Sequence, residues 1–166
     1  MDGQLTLQQI INTMPQVGRV EWIGVRPARR MPPQAVLEVA VDEKQGLAGD
    51  HYSKSEGDRQ VTLIQSEHLD AVAAFLEVEK IDPALTRRNV VVSGINLLAF
   101  KDRQFQIGTL ILEMTGICHP CSRMEETLGA GAYNALRGHS GITAKVIKGG
   151  LLRVGDSVKL QLEQDA

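Results

Sequence analysis

Short apolar runs, rich in β-branched residues and closed by glycine, proline or aspartate, recur from Val17 almost to the last residues of the chain. They constrain the fold more than any other feature, because an alternating or continuous apolar run of four to eight residues between turn residues reads as a strand. Residues 17–25 and 36–41 are two such strands around a connection carrying Pro27, Pro32 and Pro33. Residues 59–65 and 89–92 follow, and residues 105–115 hold two more, split by Gly108. Residues 142–147, 151–154 and 157–162 close the chain, with Gly149-Gly150 expected as a two-residue hairpin turn. Helices are few and short. Residues 5–13 place Leu5, Ile10 and Ile11 on one face, and Ser66 is expected to cap a helix whose apolar face is Leu69, Val72, Ala73 and Leu76. Pro83 opens a helical turn, and residues 122–128 and 133–136 read as two more helices. Residues 43–58, with three glycines, read as a long loop. These short strands and few helices lack the regular strand–helix alternation of parallel-sheet folds. The expected class is therefore mainly β with short helices (α+β), a closed or nearly closed β-barrel with helical insertions.

The 166 residues, 43% hydrophobic and 23% charged, argue a single domain over residues 1–166, with residues 1–15 as a helical extension. A chain of this size buries enough surface to fold without a disulfide or structural metal. Eighteen Lys and Arg against twenty Asp and Glu give a net charge of -2, so no global field draws it to nucleic acid. An aromatic share of 4% is too small for a base-stacking platform. No apolar run approaches the ~18 residues that span a bilayer, and the first residues lack a basic region followed by an apolar one. The expectation is a cytoplasmic protein without nucleic-acid or membrane partners.

In that compartment Cys118-His119-Pro120-Cys121 is catalytic, redox-active or metal-binding before it is a structural disulfide. Unpaired N–H groups at the start of a following helix stabilise a thiolate, and Arg123 lies two residues on, so Cys121 is expected to be the more reactive thiol. Two small buried hydrophobes are the plain alternative. A structural zinc site needs two more ligands, and His51, His68 and His139 stand isolated. A dithiol oxidoreductase carries a similar motif, but after an early strand of a βαβ unit rather than in the last third of a β-rich chain. A soft metal or a persulfide needs only one thiolate.

Taken in order, several segments resemble the MOSC domain, the C-terminal domain of molybdenum cofactor sulfurases that also occurs as small stand-alone bacterial proteins. They are Gly46-Leu47-Ala48-Gly49-Asp50-His51 with residues 59–64, Arg87-Arg88-Asn89 running into residues 90–95, Gly108 through Cys121-Ser122-Arg123-Met124, and Gly138-His139-Ser140-Gly141-Ile142 with residues 146–150 and 153–156. The resemblance covers about residues 16–160. It implies a barrel-like fold and an association with molybdenum cofactor or with sulfur carried on a cysteine, and the family's characteristic cysteine aligns with Cys121. Cys118 is an addition that many members lack, which leaves an intramolecular disulfide open.

Molybdenum cofactor carries a pterin dithiolene and a phosphate, so its pocket calls for guanidinium forks and a thiolate. Cys121 is the expected metal ligand, with Cys121 and Cys118 as the catalytic thiols. Arg59, Arg87, Arg88, Asn89, Arg123, His119 and Arg137 are the candidate cofactor contacts, each with a solvated surface role as its plain alternative. Arg59 and Arg88 stand beside strand starts, where a side chain can be aimed into a barrel mouth. Pyridoxal phosphate, which belongs to the desulfurase domain of fused relatives, has no lysine in a recognisable site here. The expected function is molybdenum cofactor binding or sulfur transfer through a reactive thiolate. The expected partners are the cofactor itself or a sulfur-donor protein. A non-catalytic carrier and a thiol–disulfide oxidoreductase are the alternatives.

Overall fold

The computed structural model describes residues 3–52 and 57–162. In chain order these form α1 (Leu7–Asn12), β1 (Gly18–Val25), β2 (Gln34–Val36), β3 (Glu38–Asp42), β4 (Gly46–Leu47), β5 (Val61–Gln65), α2 (Ser66–Phe75), β6 (Val90–Ser93), β7 (Gln104–Ile107), β8 (Leu110–Ile117), α3 (Ser122–Leu128), α4 (Ala132–Leu136), β9 (Ile142–Lys148), β10 (Gly150–Arg153) and β11 (Ser157–Leu160). Two 3₁₀ turns, Pro83–Thr86 and Leu97–Phe100, complete the set.

Seven strands close a barrel in the order β11-β7-β8-β9-β5-β6-β1, because β1 also pairs with β11; β2 extends β1 outside the closure. All pairs around the barrel are antiparallel except β5 with β6. Parallel neighbours need a crossover, and α2 supplies it between these two strands. The same crossover explains the run Val90-Val91-Val92: Val90 and Val92 enter the barrel core, while Val91 packs outward under the helices with Ile64, Leu69, Val72, Met124 and Leu136. A strand covered on both faces has no polar side to show. The barrel interior is filled by side chains such as Leu63, Phe105, Leu112 and Ile142, with Phe100 and Phe105 stacked at 4.5 Å.

Several sequence expectations are corrected. Gly149-Gly150 is not a hairpin turn: β10 leaves β9 and pairs antiparallel with β3, in a separate sheet ordered β10-β3-β4. The strand expected over residues 36–41 breaks at Leu37, whose side chain is 81% exposed and whose carbonyl accepts from Val154. Ser66 is the first residue of α2 rather than its cap, and the cap residue Gln65 instead accepts from the Leu97 N–H through its side chain. The loop over residues 43–58 contains β4, and its residues 53–56 lie outside the described ones. Leu5, ahead of α1, and Ile10 and Ile11 within it face solvent rather than a core; a capping box at Thr6 and two bonds from Arg103, to Ile11 O and the Asn12 side chain, hold the helix.

Candidate functional site

One mouth of the barrel gathers the end of β1, the end of β8 and the starts of β5, β6 and β9. A cleft of about 360 Å³ opens there, lined by residues of β1, β5, β8 and β9, by the residues that lead into β6, and by Asp50 and Tyr52. Antiparallel pairing sets the end of β8 against the start of β9 and the end of β1 against the start of β6, and the parallel β5–β6 pair brings the starts of both strands to the same end.

Arg26 continues β1 into the cleft just before Pro27. Asp50 folds the 49–52 segment against it: one carboxylate oxygen accepts from the Arg26 N–H at 2.8 Å and the other from the Tyr52 N–H at 3.3 Å, while the His51 N–H donates to Arg26 O at 2.6 Å. Asp50 is thus spent on backbone and pairs with no guanidinium. Arg59 leads into β5 with an exposed side chain on the cleft wall. Arg87 and Arg88 lead into β6. Arg88 is only 8% exposed, and its Nε donates to Ser140 O at 2.7 Å, which leaves its terminal nitrogens for the cleft. Arg87 closes the 3₁₀ turn in the left-handed conformation, φ 60° and ψ 24°, a region that costs a non-glycine residue about 1–2 kcal/mol.

Asn89 lines the cleft, but its polar atoms are committed. Oδ1 accepts from Thr62 N at 3.1 Å and Thr62 Oγ1 at 3.0 Å, and Nδ2 donates to Gly24 O at 3.2 Å, so it ties β5, β6 and β1 together at the mouth.

The two cysteines occupy different environments. Cys118 follows β8, lines the cleft and donates its N–H to Gly141 O at 2.9 Å. It is 8% exposed, and burial pushes its thiol up against the opposing pull of Arg88 and Arg59. Cys121 is half-buried at the N-cap of α3, with Arg87 Nη1 3.8 Å from its sulfur. Partial burial acts to raise the Cys121 thiol, but the N–H groups of Met124 and Arg123 and the Arg87 guanidinium outweigh it, and the net direction is down. Arg87, on the cleft wall, joins the thiolate to the cleft. Both cysteines are free thiols. The second cysteine, not the first, caps the helix, so the arrangement is not that of a helix-seated dithiol.

Of the residues singled out from sequence, Arg59, Arg87, Arg88, Asn89, Cys118 and His119 share the cleft, with the His119 side chain exposed at its edge. Arg123 sits in the first turn of α3, off the cleft wall. Arg137 is exposed at the end of α4 and outside the cleft, because the preceding helix carries it to the outer layer. Arg26 and Tyr52 were not foreseen; an arginine ending a strand immediately before a proline was the available signal for the first. Burial and then the Arg87 charge push the Arg26 guanidinium below its ordinary value, with Asp50 opposing.

Residues 39–159 match the pattern of the MOSC domain. The chain belongs to the MOSC domain family. Solved structures agree at the level of the fold: YuaD from Bacillus subtilis superposes with a TM-score of 0.80 at 19% identity, covering 89% of this chain and 97% of that one. YiiM from Geobacillus stearothermophilus gives 0.70 at 16%, covering 90% and 77%, and YiiM from Escherichia coli 0.66 at 17%, covering 89% and 72%. No curated protein matches the chain in sequence. The family carries a link to molybdenum cofactor sulfurases, and the chemistry of the cleft fits such a cofactor: guanidiniums for a phosphate, a volume within the range of small-molecule sites, and, behind the wall residue Arg87 rather than on the lining itself, the Cys121 thiol for the metal. Among the described residues no group of three His, Cys, Asp or Glu side chains converges on a metal position. Among the same residues no helix is long and apolar enough to cross a membrane.

Proposed function

We propose that this MOSC protein is a sulfur carrier in which the Cys121 thiolate accepts a sulfur atom beside the arginine-walled cleft and hands it on. The observation that carries the reading is the position of Cys121: an N-cap thiol, reached by solvent, 3.8 Å from a guanidinium that also faces the cleft. Sulfur transfer needs a thiolate nucleophile, and these groups favour the charged form at neutral pH. Loading from a sulfane-sulfur donor forms a bond between Sγ and the donor's outer sulfur as the bond from that sulfur to the rest of the donor breaks, its electron pair leaving with the donor; the resulting persulfide anion keeps the negative charge next to Arg87. Cys118, buried and held protonated, does not compete as a nucleophile.

A second reading is favoured by the cleft itself, whose volume and guanidiniums exceed what a single sulfur atom requires. In it the same thiolate ligates molybdenum while Arg59, Arg87 and Arg88 hold the cofactor's phosphate. The cofactor would supply the redox chemistry; the chain's residues would bind and orient it. The test is to purify the reduced protein and its Cys121→Ala variant from a host that makes the cofactor, and to measure molybdenum per chain and intact mass. A gain of about 32 Da, one sulfur atom, in the wild type alone supports the carrier. Near-stoichiometric molybdenum lost in the variant supports the second reading, and neither signal in the wild type rejects both.

A further inference from the structure

The charges of the cleft do not balance. Arg26, Arg59, Arg87 and Arg88 face it, and among the described residues none makes an ion pair with a carboxylate: the two ion pairs found, Lys145 with Glu113 and Arg153 with Glu38, involve none of them. The one lining carboxylate, Asp50, spends both oxygens on backbone N–H groups. Among the described residues, counting Asp50 and a Cys121 thiolate against the four guanidiniums leaves two positive charges without a counter-charge. Guanidiniums held together at this density, one of them 8% exposed, call for an anionic ligand, and the planar fork of arginine suits tetrahedral oxyanions.

Building on the carrier reading, we infer that the cleft takes its sulfur from a small dianionic oxyanion bearing a terminal sulfane sulfur, of the thiosulfate class. The sulfonate oxygens lie on the guanidiniums, and Arg87 joins that site to the nucleophile. The Cys121 thiolate attacks the outer sulfur. The Sγ–S bond forms, the S–SO₃ bond breaks, and its electron pair leaves on sulfite. One thiolate and one thiosulfate dianion become one persulfide anion and one sulfite dianion, with no proton and no external oxidant or reductant required. The thiol sulfur is oxidised and the sulfonate sulfur reduced. The same guanidiniums that bind the dianion stabilise it as the leaving group.

The shared chemistry, a tetrahedral dianion on guanidiniums, also fits the phosphate of a larger cofactor, and the experiment separates the two. Reduced protein is incubated with thiosulfate or with hydrogen disulfide (HSS⁻), a sulfane donor without an oxyanion. Intact mass and released sulfite are then measured, with and without excess sulfate. The expected result is a gain of about 32 Da at Cys121 from thiosulfate, one sulfite per sulfur loaded, and slowing by sulfate. Arg26→Gln and Arg59→Gln are each expected to slow loading from thiosulfate by about tenfold or more, the loss of one charge-assisted contact. Loading from hydrogen disulfide but not from thiosulfate overturns this inference and leaves the carrier reading standing. Sulfate binding to the cleft without sulfur transfer from thiosulfate assigns the guanidiniums to a cofactor phosphate and overturns the donor class. Failure of both donors overturns the carrier reading with it.

Discussion

Arg87 separates function from stability, and the substitution that exposes this is Arg87→Gly. The residue adopts φ 60° and ψ 24° at the end of a 3₁₀ turn, where glycine is at ease and arginine is not. Glycine would remove about 1–2 kcal/mol of left-handed strain and cost about 0.5–1 kcal/mol in unfolded-state entropy, so the variant is expected to be as stable as the parent or up to about 1.5 kcal/mol more so. The guanidinium, however, lies 3.8 Å from the Cys121 sulfur. An opposite charge at that separation is worth about 1 kcal/mol in bulk water and about 4 kcal/mol at an effective dielectric of 20. The pair is half-buried beside a solvent-filled cleft, so about 1–2 kcal/mol is the relevant range, or a roughly five- to thirtyfold smaller thiolate population at neutral pH. The backbone N–H groups of Met124 and Arg123 remain, so the loss is partial. The assay is the rate of iodoacetamide alkylation of Cys121 against pH, with thermal melting alongside. The rate at neutral pH should fall by that factor and the profile should move to higher pH while the melting temperature holds or rises. An unchanged rate and profile would show that Arg87 does not activate the thiol.

Gly141→Ala should destabilise the fold by about 3 kcal/mol or more, read by denaturant titration: φ is +91°, and an added Cβ would collide with the Leu63 carbonyl oxygen of β5. Asn89→Leu leaves the Thr62 N–H and the Gly24 carbonyl without their partner at the mouth and should cost about 2–4 kcal/mol by the same titration, marking Asn89 as a residue that builds the cleft rather than one that reads a ligand. His68 packs edge-on to His139 at 4.9 Å, and burial first, then the His139 charge, lowers its proton affinity. A folded-state value below the unfolded one means the unfolded chain binds the proton more readily, so stability should decline as pH falls below the ordinary histidine value of about 6.5. His68→Leu should flatten that decline in melts taken across pH.

The strand framework was legible because every barrel strand carries its own local signal. The parallel β5–β6 pair shows in the sequence only as an unbroken Val90-Val91-Val92 run, which its double burial explains. The departure of β10 to a second sheet was not legible: two glycines between strands permit a hairpin and equally permit a chain that crosses over, and the partner strand β3 lies more than a hundred residues away. Cys121 and its helix were legible because capping is local. Arg26 was not, since its place in the cleft depends on Asp50 folding a distant loop back onto the β1 exit. The position of Arg137 outside the cleft was not legible either, since proximity in sequence to Gly138 and His139 says nothing about which side of α4 the chain leaves from.

The proposed sulfur carrier works through Cys121 and not Cys118. The direct measurement is limited alkylation of the native protein at neutral pH with one equivalent of iodoacetamide, followed by peptide mass mapping. The adduct is expected on Cys121, with Cys118 labelled only after unfolding, because one thiol is half-buried and held low while the other is 8% exposed and held high. Labelling of Cys118 first, or of both at equal rates in the folded protein, would contradict the account.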